Sequence, residues 1–226
     1  METIALRLPS RKDLIRKAFD DLADNVRLSG TAKILALTSC HAAEQGAITV
    51  LELAKALARD RQVLVVDADL RTSPIASLCV KNSNPVGLAD LLAKDVVPND
   101  VIVPTNIEGL DLVTAGASVQ NPTSLLESTV LDDFLEIAGK VYDHVLINTP
   151  PILQATDAAL VAAASDAAAL IVNCWSVSRT DLLSAKAQLE KSGRPILGTI
   201  VTNFSTGKRK KRRLPLLSRI SRSSKK

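Results

Sequence analysis

Val63-Leu64-Val65-Val66-Asp67-Ala68-Asp69-Leu70-Arg71 is the stretch that decides the fold. Four apolar residues in a row, three of them β-branched, read as a strand buried on both faces, the kind that parallel sheets contain. The strand closes on two carboxylates spaced i, i+2 and then an arginine. Side chains two apart on a strand leave it on the same side. Asp67 and Asp69 are therefore expected together at the strand tip, as candidates to hold a hydrated Mg²⁺ or to orient a water. Taken alone, the same residues also fit a polar strand end with an Asp-rich turn.

The strand before it is Ile34-Leu35-Ala36-Leu37-Thr38-Ser39, which runs through Cys40-His41-Ala42-Ala43-Glu44-Gln45-Gly46-Ala47-Ile48-Thr49 into a helix. Strand, a loop of about seven residues, and helix is the architecture of a phosphate-binding P-loop. Such a loop needs glycines so that successive N–H groups converge on phosphate oxygens. It also needs a lysine for the β- and γ-phosphates and a hydroxyl for the metal. Here the loop offers Gly46 alone, no lysine lies between Lys33 and Lys55, and Ala47 follows the glycine. Thr49 supplies a hydroxyl only in a shifted register. The position is right and the chemistry is missing.

Periodicity predicts strands at about 33–38, 62–67, 110–115, 143–148, 167–173 and 196–203. Helices alternate with them at about 47–60, 87–94, 122–141 (with a break), 156–164 and 178–192, after an amphipathic helix over 11–28 whose apolar face is Leu14, Ala18, Leu22 and Val26. Alternating strands and helices imply right-handed crossovers, hence an α/β three-layer fold with a mostly parallel central sheet and helices on both faces. No element is assigned within residues 95–108. Ligands in such folds sit outside the carboxyl ends of the strands. That edge carries the 40–46 loop, Asp67, Asp69, Arg71, Asn148-Thr149-Pro150 and Asn203.

Six segments, each weak alone, occur in the order found in one family. They are Thr38-Ser39, Val65 to Arg71, Gly87-Leu88-Ala89-Asp90-Leu91-Leu92, Thr114-Ala115-Gly116 followed by Asn121-Pro122-Thr123-Ser124-Leu125-Leu126, Tyr142-Asp143-His144-Val145-Leu146-Ile147-Asn148-Thr149-Pro150-Pro151, and Thr156-Asp157-Ala158. From about Asp13 to Asn203 the chain resembles the cytoplasmic ATPase domain of bacterial tyrosine kinases (BY-kinases). These are the capsular and exopolysaccharide biosynthesis family of MinD/ParA-like P-loop proteins. The resemblance implies a P-loop NTPase-like domain at 33–207, preceded by an N-terminal helical extension at 1–32; the charge pattern adds a disordered polybasic tail at 208–226. It also marks Gly46, Ala47, Thr49, Arg71, Asn148 and Asn203 as nucleotide-site positions, and Asp67 and Asp69 as metal or catalytic ones.

Departures from the family pattern fall on its chemistry. Set against the family, its P-loop lysine falls on Gly46, its Ser/Thr pair on Ala47 and Ile48, and its second acidic residue on Asn148. Asparagine keeps the shape of aspartate without the charge, so it cannot neutralise Mg²⁺. The self-association helix of the family reads here Lys17-Ala18-Phe19-Asp20-Asp21-Leu22-Ala23-Asp24-Asn25-Val26, with its glutamate and two arginines replaced, which leaves self-association open. Members end in a tyrosine cluster that becomes phosphorylated, whereas this chain has one tyrosine, Tyr142. Phosphoryl transfer is stabilised almost wholly by charge and positioning. A catalytically impaired member is therefore expected, with no cofactor, or ATP or ADP with Mg²⁺ should the edge keep a nucleotide.

Composition sets further bounds. The 226 residues suffice for one large α/β domain, and aromatic residues make up only 2% of them, so the core is expected to be Ala, Leu, Val and Ile. No apolar run reaches the ~18 residues of a membrane span, and the N-terminal residues do not read as a signal peptide. Cys40, Cys79 and Cys174 are odd in number and scattered, which suits a reducing cytoplasm. Two histidines, His41 and His144, leave no zinc constellation, and Cys40 beside His41 reads as a chance pair rather than a thiolate nucleophile.

Charge is divided along the chain. All 24 Asp and Glu lie in residues 1–207, against 18 Lys and Arg, while residues 208–226 hold ten basic residues and no acid. Lys208-Arg209-Lys210-Lys211-Arg212-Arg213 opens that tail, followed by Leu214, Leu216, Leu217 and Ile220. Each Lys or Arg near an anionic bilayer contributes about 1 kcal/mol. Counterion release would serve nucleic acid equally, but the interleaved leucines and the absence of a stacking aromatic favour a membrane surface. The expected role is an adaptor or regulator of exopolysaccharide or capsule biosynthesis or export. It would lie at the cytoplasmic membrane's inner face and bind a membrane-embedded polysaccharide co-polymerase or related export protein. The alternatives are a divergent active tyrosine kinase or ATPase, and a MinD/ParA-like positioning factor that uses its tail on DNA or membrane.

Overall fold

The computed structural model describes residues 13–30, 32–42, 45–78 and 86–203. Its centre is a seven-stranded sheet, built from β1 (Ile34–Ser39), β2 (Val63–Asp67), β3 (Val103–Pro104), β4 (Leu110–Val113), β5 (His144–Asn148), β6 (Ala167–Asn173) and β7 (Ile196–Thr202), in the order β3-β4-β2-β5-β1-β6-β7. All neighbours run parallel except β3, which pairs antiparallel with β4. The helices are α1 (Asp13–Ser29), α2 (Gln45–Leu57), α3 (Leu88–Leu92), α4 (Pro98–Val101), α5 (Pro122–Leu126), α6 (Thr129–Val141), α7 (Asp157–Ala163) and α8 (Arg179–Glu190).

Strand alternation divides the core in two. Leu64 and Val66 face one side of β2, with Phe134 of α6, Val161 of α7 and Leu189 of α8; Val63 and Val65 face the other, with Leu51, Leu53 and Leu57 of α2. Helices thus cover both faces, which is the three-layer α/β arrangement the alternating pattern predicts. The expected break in the 122–141 helix is real and falls between α5 and α6. Among the described residues no helix is long and apolar enough to cross a membrane.

Two expectations need correction. α4 and β3 lie in the segment for which no element was assigned. On α1 the apolar stripe over the described side chains is Phe19, Leu22, Ala23 and Val26, packed on the α2 side of the core; Leu22 and Val26 are as expected, Ala18 is exposed, and the Leu14 side chain lies outside the described residues. The expected face stepped by four residues each time. On a 3.6-residue helix that drifts, whereas i, i+3, i+4, i+7 holds one face.

The motif segments around Gly87 and Gly116 are a clasp beside the carboxyl edge. Leu88 N–H donates to Thr114 O at 2.8 Å and Ala89 N–H to Ala115 O at 3.0 Å. A Cβ on Gly87 would fall 2.3 Å from Gly116 N, so only glycine lets the two backbones meet. Asp90 closes the turn by accepting from Gly87 N–H at 2.8 Å.

Candidate functional site

The chain leaves β1, β2 and β5 at the same carboxyl edge of the sheet. β2 and β5 lie in register with Asp67 opposite Asn148. Asn148 donates its amide to Asp67 Oδ1 at 2.8 Å, and both side chains are buried. The backbone N–H groups of Asp69 and Ile75 complete the Asp67 carboxylate, at 3.3 and 3.2 Å. Burial pushes the Asp67 acid up to about 7, against the Asn148 hydrogen bond and both backbone donors, with the nearby Asp69 charge raising it further.

β2 ends at Asp67, so Asp69 lies in the turn beyond the strand, near enough for its charge to bear on Asp67. Its carboxylate is taken up by that turn. It accepts from Arg71 N–H at 3.2 Å, Thr72 N–H at 3.0 Å and the Thr72 hydroxyl at 2.5 Å. Arg71 pairs with Asp157 and Thr123. Its guanidinium grips Asp157 through Nε at 2.7 Å and Nη2 at 3.2 Å, and Nη2 also reaches Thr123 Oγ1 at 3.1 Å. Thr123 donates in turn to Asp157 at 2.8 Å. Asp157 is 1% exposed and Arg71 44%. This triad ties the β2 exit to the first turns of α5 and α7. Sequence reasoning quoted Thr123 and Asp157 within motif segments but gave them no part; their pairing with Arg71 spans 52 and 86 residues.

Gly46, Ala47 and Thr49 lie in the first turns of α2, where Ala47 and Thr49 are buried. A Cβ on Gly46 would meet nothing closer than Ser39 Oγ at 3.8 Å. Ala43 and Glu44 lie outside the described residues, as does the whole run from Lys208 to Arg213. On the near side of that gap, Ser39 Oγ donates to His41 O at 2.9 Å. His41 Nε2 lies 3.4 Å from Asp181 Oδ2, the carboxylate that caps α8 with Ser178. Cys40 is buried in the apolar core, and burial, with the Asp181 charge second, pushes its thiol up, away from a reactive thiolate. Asn203 has φ 57° at the end of β7, and its carbonyl accepts from Trp175 Nε1 at 2.7 Å, so it turns the chain there. Tyr142 is buried and donates to Asp111 at 2.7 Å, and burial with that carboxylate raises its phenol.

This architecture has known counterparts. Residues 44–192 match the family model described as an AAA domain. The chain is 32% identical over 189 residues to the tyrosine-protein kinase CpsD of Streptococcus agalactiae, covering 83% of this chain and 82% of that protein. The kinase domain of Escherichia coli tyrosine kinase ETK superposes with a TM-score of 0.78 at 28% identity, over 85% of this chain and 78% of that one. The septum site-determining protein MinD of Pyrococcus horikoshii, solved with Mg-ADP, follows with a TM-score of 0.63 at 26% identity, over 75% and 69%. The order of the strands, the clasped motif segments and these relatives agree: the chain belongs to the bacterial tyrosine kinase family of MinD/ParA-like P-loop proteins.

Proposed function

We propose that this chain is a catalytically impaired member of its family, acting as an adaptor or regulator in exopolysaccharide or capsule assembly or export. The observation that carries the reading is the hydrogen bond from Asn148 to Asp67. Two acids facing each other across β2 and β5 would need a cation or a shared proton between them; an amide and a carboxylate satisfy each other without either. The residues present do not fit a magnesium–phosphate site. Asp67 is completed by protein donors, Gly46 stands where the family's lysine falls, and Ala47 and Ile48 stand where its hydroxyls fall. The buried, hydrogen-bonded Tyr142 is a poor phosphate acceptor.

The tail supports a place beside a membrane. Lys208, Arg209, Lys210, Lys211, Arg212 and Arg213, at about 1 kcal/mol each, can hold a domain at an anionic inner leaflet, with the following leucines inserted. The partner is then a membrane-embedded polysaccharide co-polymerase or related export protein. The test is a titration of the full chain with fluorescent ATP and ADP, with and without Mg²⁺, beside Asp67→Ala/Asp69→Ala. No saturable binding at millimolar nucleotide is expected. Mg²⁺-dependent binding that the double variant loses would overturn the reading in favour of an active enzyme.

A further inference from the structure

The amino-terminal edge of the sheet, opposite the candidate site, holds a recess of about 210 Å³. β1, β2 and β5 start side by side there, with Ile34 in register with Val145 and Val63 with His144. The walls come from the last turn of α1 (Arg27), the residue before β1 (Lys33), the turn before β2 (Arg61) and the entry to β5 (Asp143, His144). A water occupies about 30 Å³ of liquid, and sites for whole cofactors run from about 300 Å³ upward. The space therefore suits a small ion with its waters and is too tight for a nucleotide.

These walls carry more positive charge than they pair. Arg27, Lys33 and Arg61 stand against one acid, Asp143, which already accepts from Gln62 N–H at 2.9 Å. Both terminal nitrogens of Arg27 are held, by Asp24 and by Asp60, each at 2.6 Å. Lys33 Nζ donates to the Gly139 carbonyl at 2.6 Å, which satisfies a hydrogen bond and leaves the charge. Arg61 makes no ion pair among the described residues. Two further polar atoms of the walls, Arg27 Nε and His144 Nδ1, are shut from water with no hydrogen-bond partner. Buried polar atoms are satisfied as a rule, so orphans beside a recess point to a water or an ion that belongs there. Burial holds the His144 imidazole below its ordinary value; the Asp143 charge opposes this, and Arg27, Arg61 and Lys33 add to it, so all three cations bear on one point.

Charge and shape select the occupant. Three cations on three separate elements line one space, which suits a tetrahedral oxyanion better than a planar carboxylate, and a guanidinium fork matches its oxygens. We propose that this recess is an anion site that takes inorganic phosphate, or the phosphate end of a small monoester, between Arg61 and Lys33. Bound there, the anion would tie the entry of β1 to that of β2. The inference goes beyond the reading above and holds whether or not the chain binds nucleotide, because it uses the opposite edge of the sheet and different residues.

The two histidines of the chain make the test direct, because His41 follows β1 at the carboxyl edge and His144 opens β5 at the amino edge. The full chain, carrying ¹³C-labelled histidine, is titrated at fixed ionic strength with inorganic phosphate, glycerol 3-phosphate and acetate. Imidazole proton–carbon correlations are followed, with His41→Gln assigning the two signals. Phosphate should move the His144 signal saturably at millimolar concentration and leave His41 in place. It should also shift the His144 titration to higher pH, since a bound anion favours the imidazolium. Acetate should bind at least tenfold more weakly. Arg61→Gln, at an exposed position that leaves the fold intact by circular dichroism, should weaken phosphate about tenfold or more, the loss expected of one hydrogen bond to a charged group. Whichever of phosphate and glycerol 3-phosphate binds tighter tells the free ion from the monoester as the source. The proposal is overturned by no saturable movement of His144 at tens of millimolar phosphate, by equal binding of acetate, or by an unaffected Arg61→Gln. A response confined to His41 would place the anion at the carboxyl edge and overturn it as well.

Discussion

Asn148→Asp tests whether the β2–β5 pair stands without a cation. The substitution keeps the shape and puts a second carboxylate where an amide now donates to Asp67 Oδ1 at 2.8 Å. At an effective dielectric of 20, two charges at that separation repel by about 6 kcal/mol. The pair escapes by keeping one proton. At pH 8 that proton sits about four units above the unfolded aspartate value, which costs about 5–6 kcal/mol, so both limits agree. At pH 5 the same proton costs about 1–2 kcal/mol, and the protonated acid replaces the amide as donor. The shared acid has a raised folded pKa, so the variant gains stability as pH falls and loses it as pH rises. Urea unfolding followed by far-UV circular dichroism, at pH 5 and pH 8 in EDTA, should show a loss of about 4–6 kcal/mol at pH 8 that shrinks to about 1–2 kcal/mol at pH 5. Millimolar Mg²⁺ should restore part of it at pH 8, since a cation at a hundred times its Kd adds about 2.7 kcal/mol. A variant within about 0.5 kcal/mol of the parent at pH 8 in EDTA, a difference ordinary for a neutral surface change, would refute the argument.

Three further outcomes follow from the same geometry. The parent itself should lose stability between about pH 4 and pH 7, because Asp67 holds its proton more tightly folded, at about 7, than unfolded, at 3.8; Asp67→Asn should flatten that part of a urea-midpoint profile. Arg71→Ala should cost about 3–5 kcal/mol by leaving the buried Asp157 with the Thr123 hydroxyl alone, while Asp157→Ala should cost about 1–2 kcal/mol because the half-exposed Arg71 stays hydrated. Equal losses in the two unfolding curves would contradict that asymmetry. Gly87→Ala, whose Cβ would lie 2.3 Å from Gly116 N, should lose about 3 kcal/mol or more, read as a fall in thermal midpoint.

Much of this fold is legible because buried parallel strands announce themselves. Val63 to Val66 and Ala167 to Val172 are unbroken apolar runs whose alternate members serve the two halves of the core. What stayed hidden depends on the partner rather than on the segment. β3 is a strand only because Val103 and Pro104 lie against Leu112 and Asp111. The same limit governs the site. That residue 148 is an asparagine is plain in the sequence, but that its amide answers Asp67 follows from the register of β2 on β5, a pairing across 81 residues. Arg71 shows the converse: the resemblance marks it as a nucleotide-site position, while nothing in the sequence points to the carboxylate it pairs with, 86 residues away.

The motif segments sort by what they touch. Gly87 and Gly116 clasp two backbones, Thr123 and Asp157 hold Arg71, and the Thr38 hydroxyl donates to Pro150 O at 3.0 Å, locking the end of β1 to the β5 exit. Each of these residues serves the scaffold directly, so removing it would cost stability with or without a ligand. On the proposed reading, the departures at 46, 47, 48 and 148 fall instead where the resemblance places phosphate and metal chemistry, and Asn148 meets Asp67 with a hydrogen bond of its own. A chain that kept the phosphate chemistry would need the second set as much as the first. On the proposed reading it needs only the first, and its stability should be indifferent to Mg-ATP.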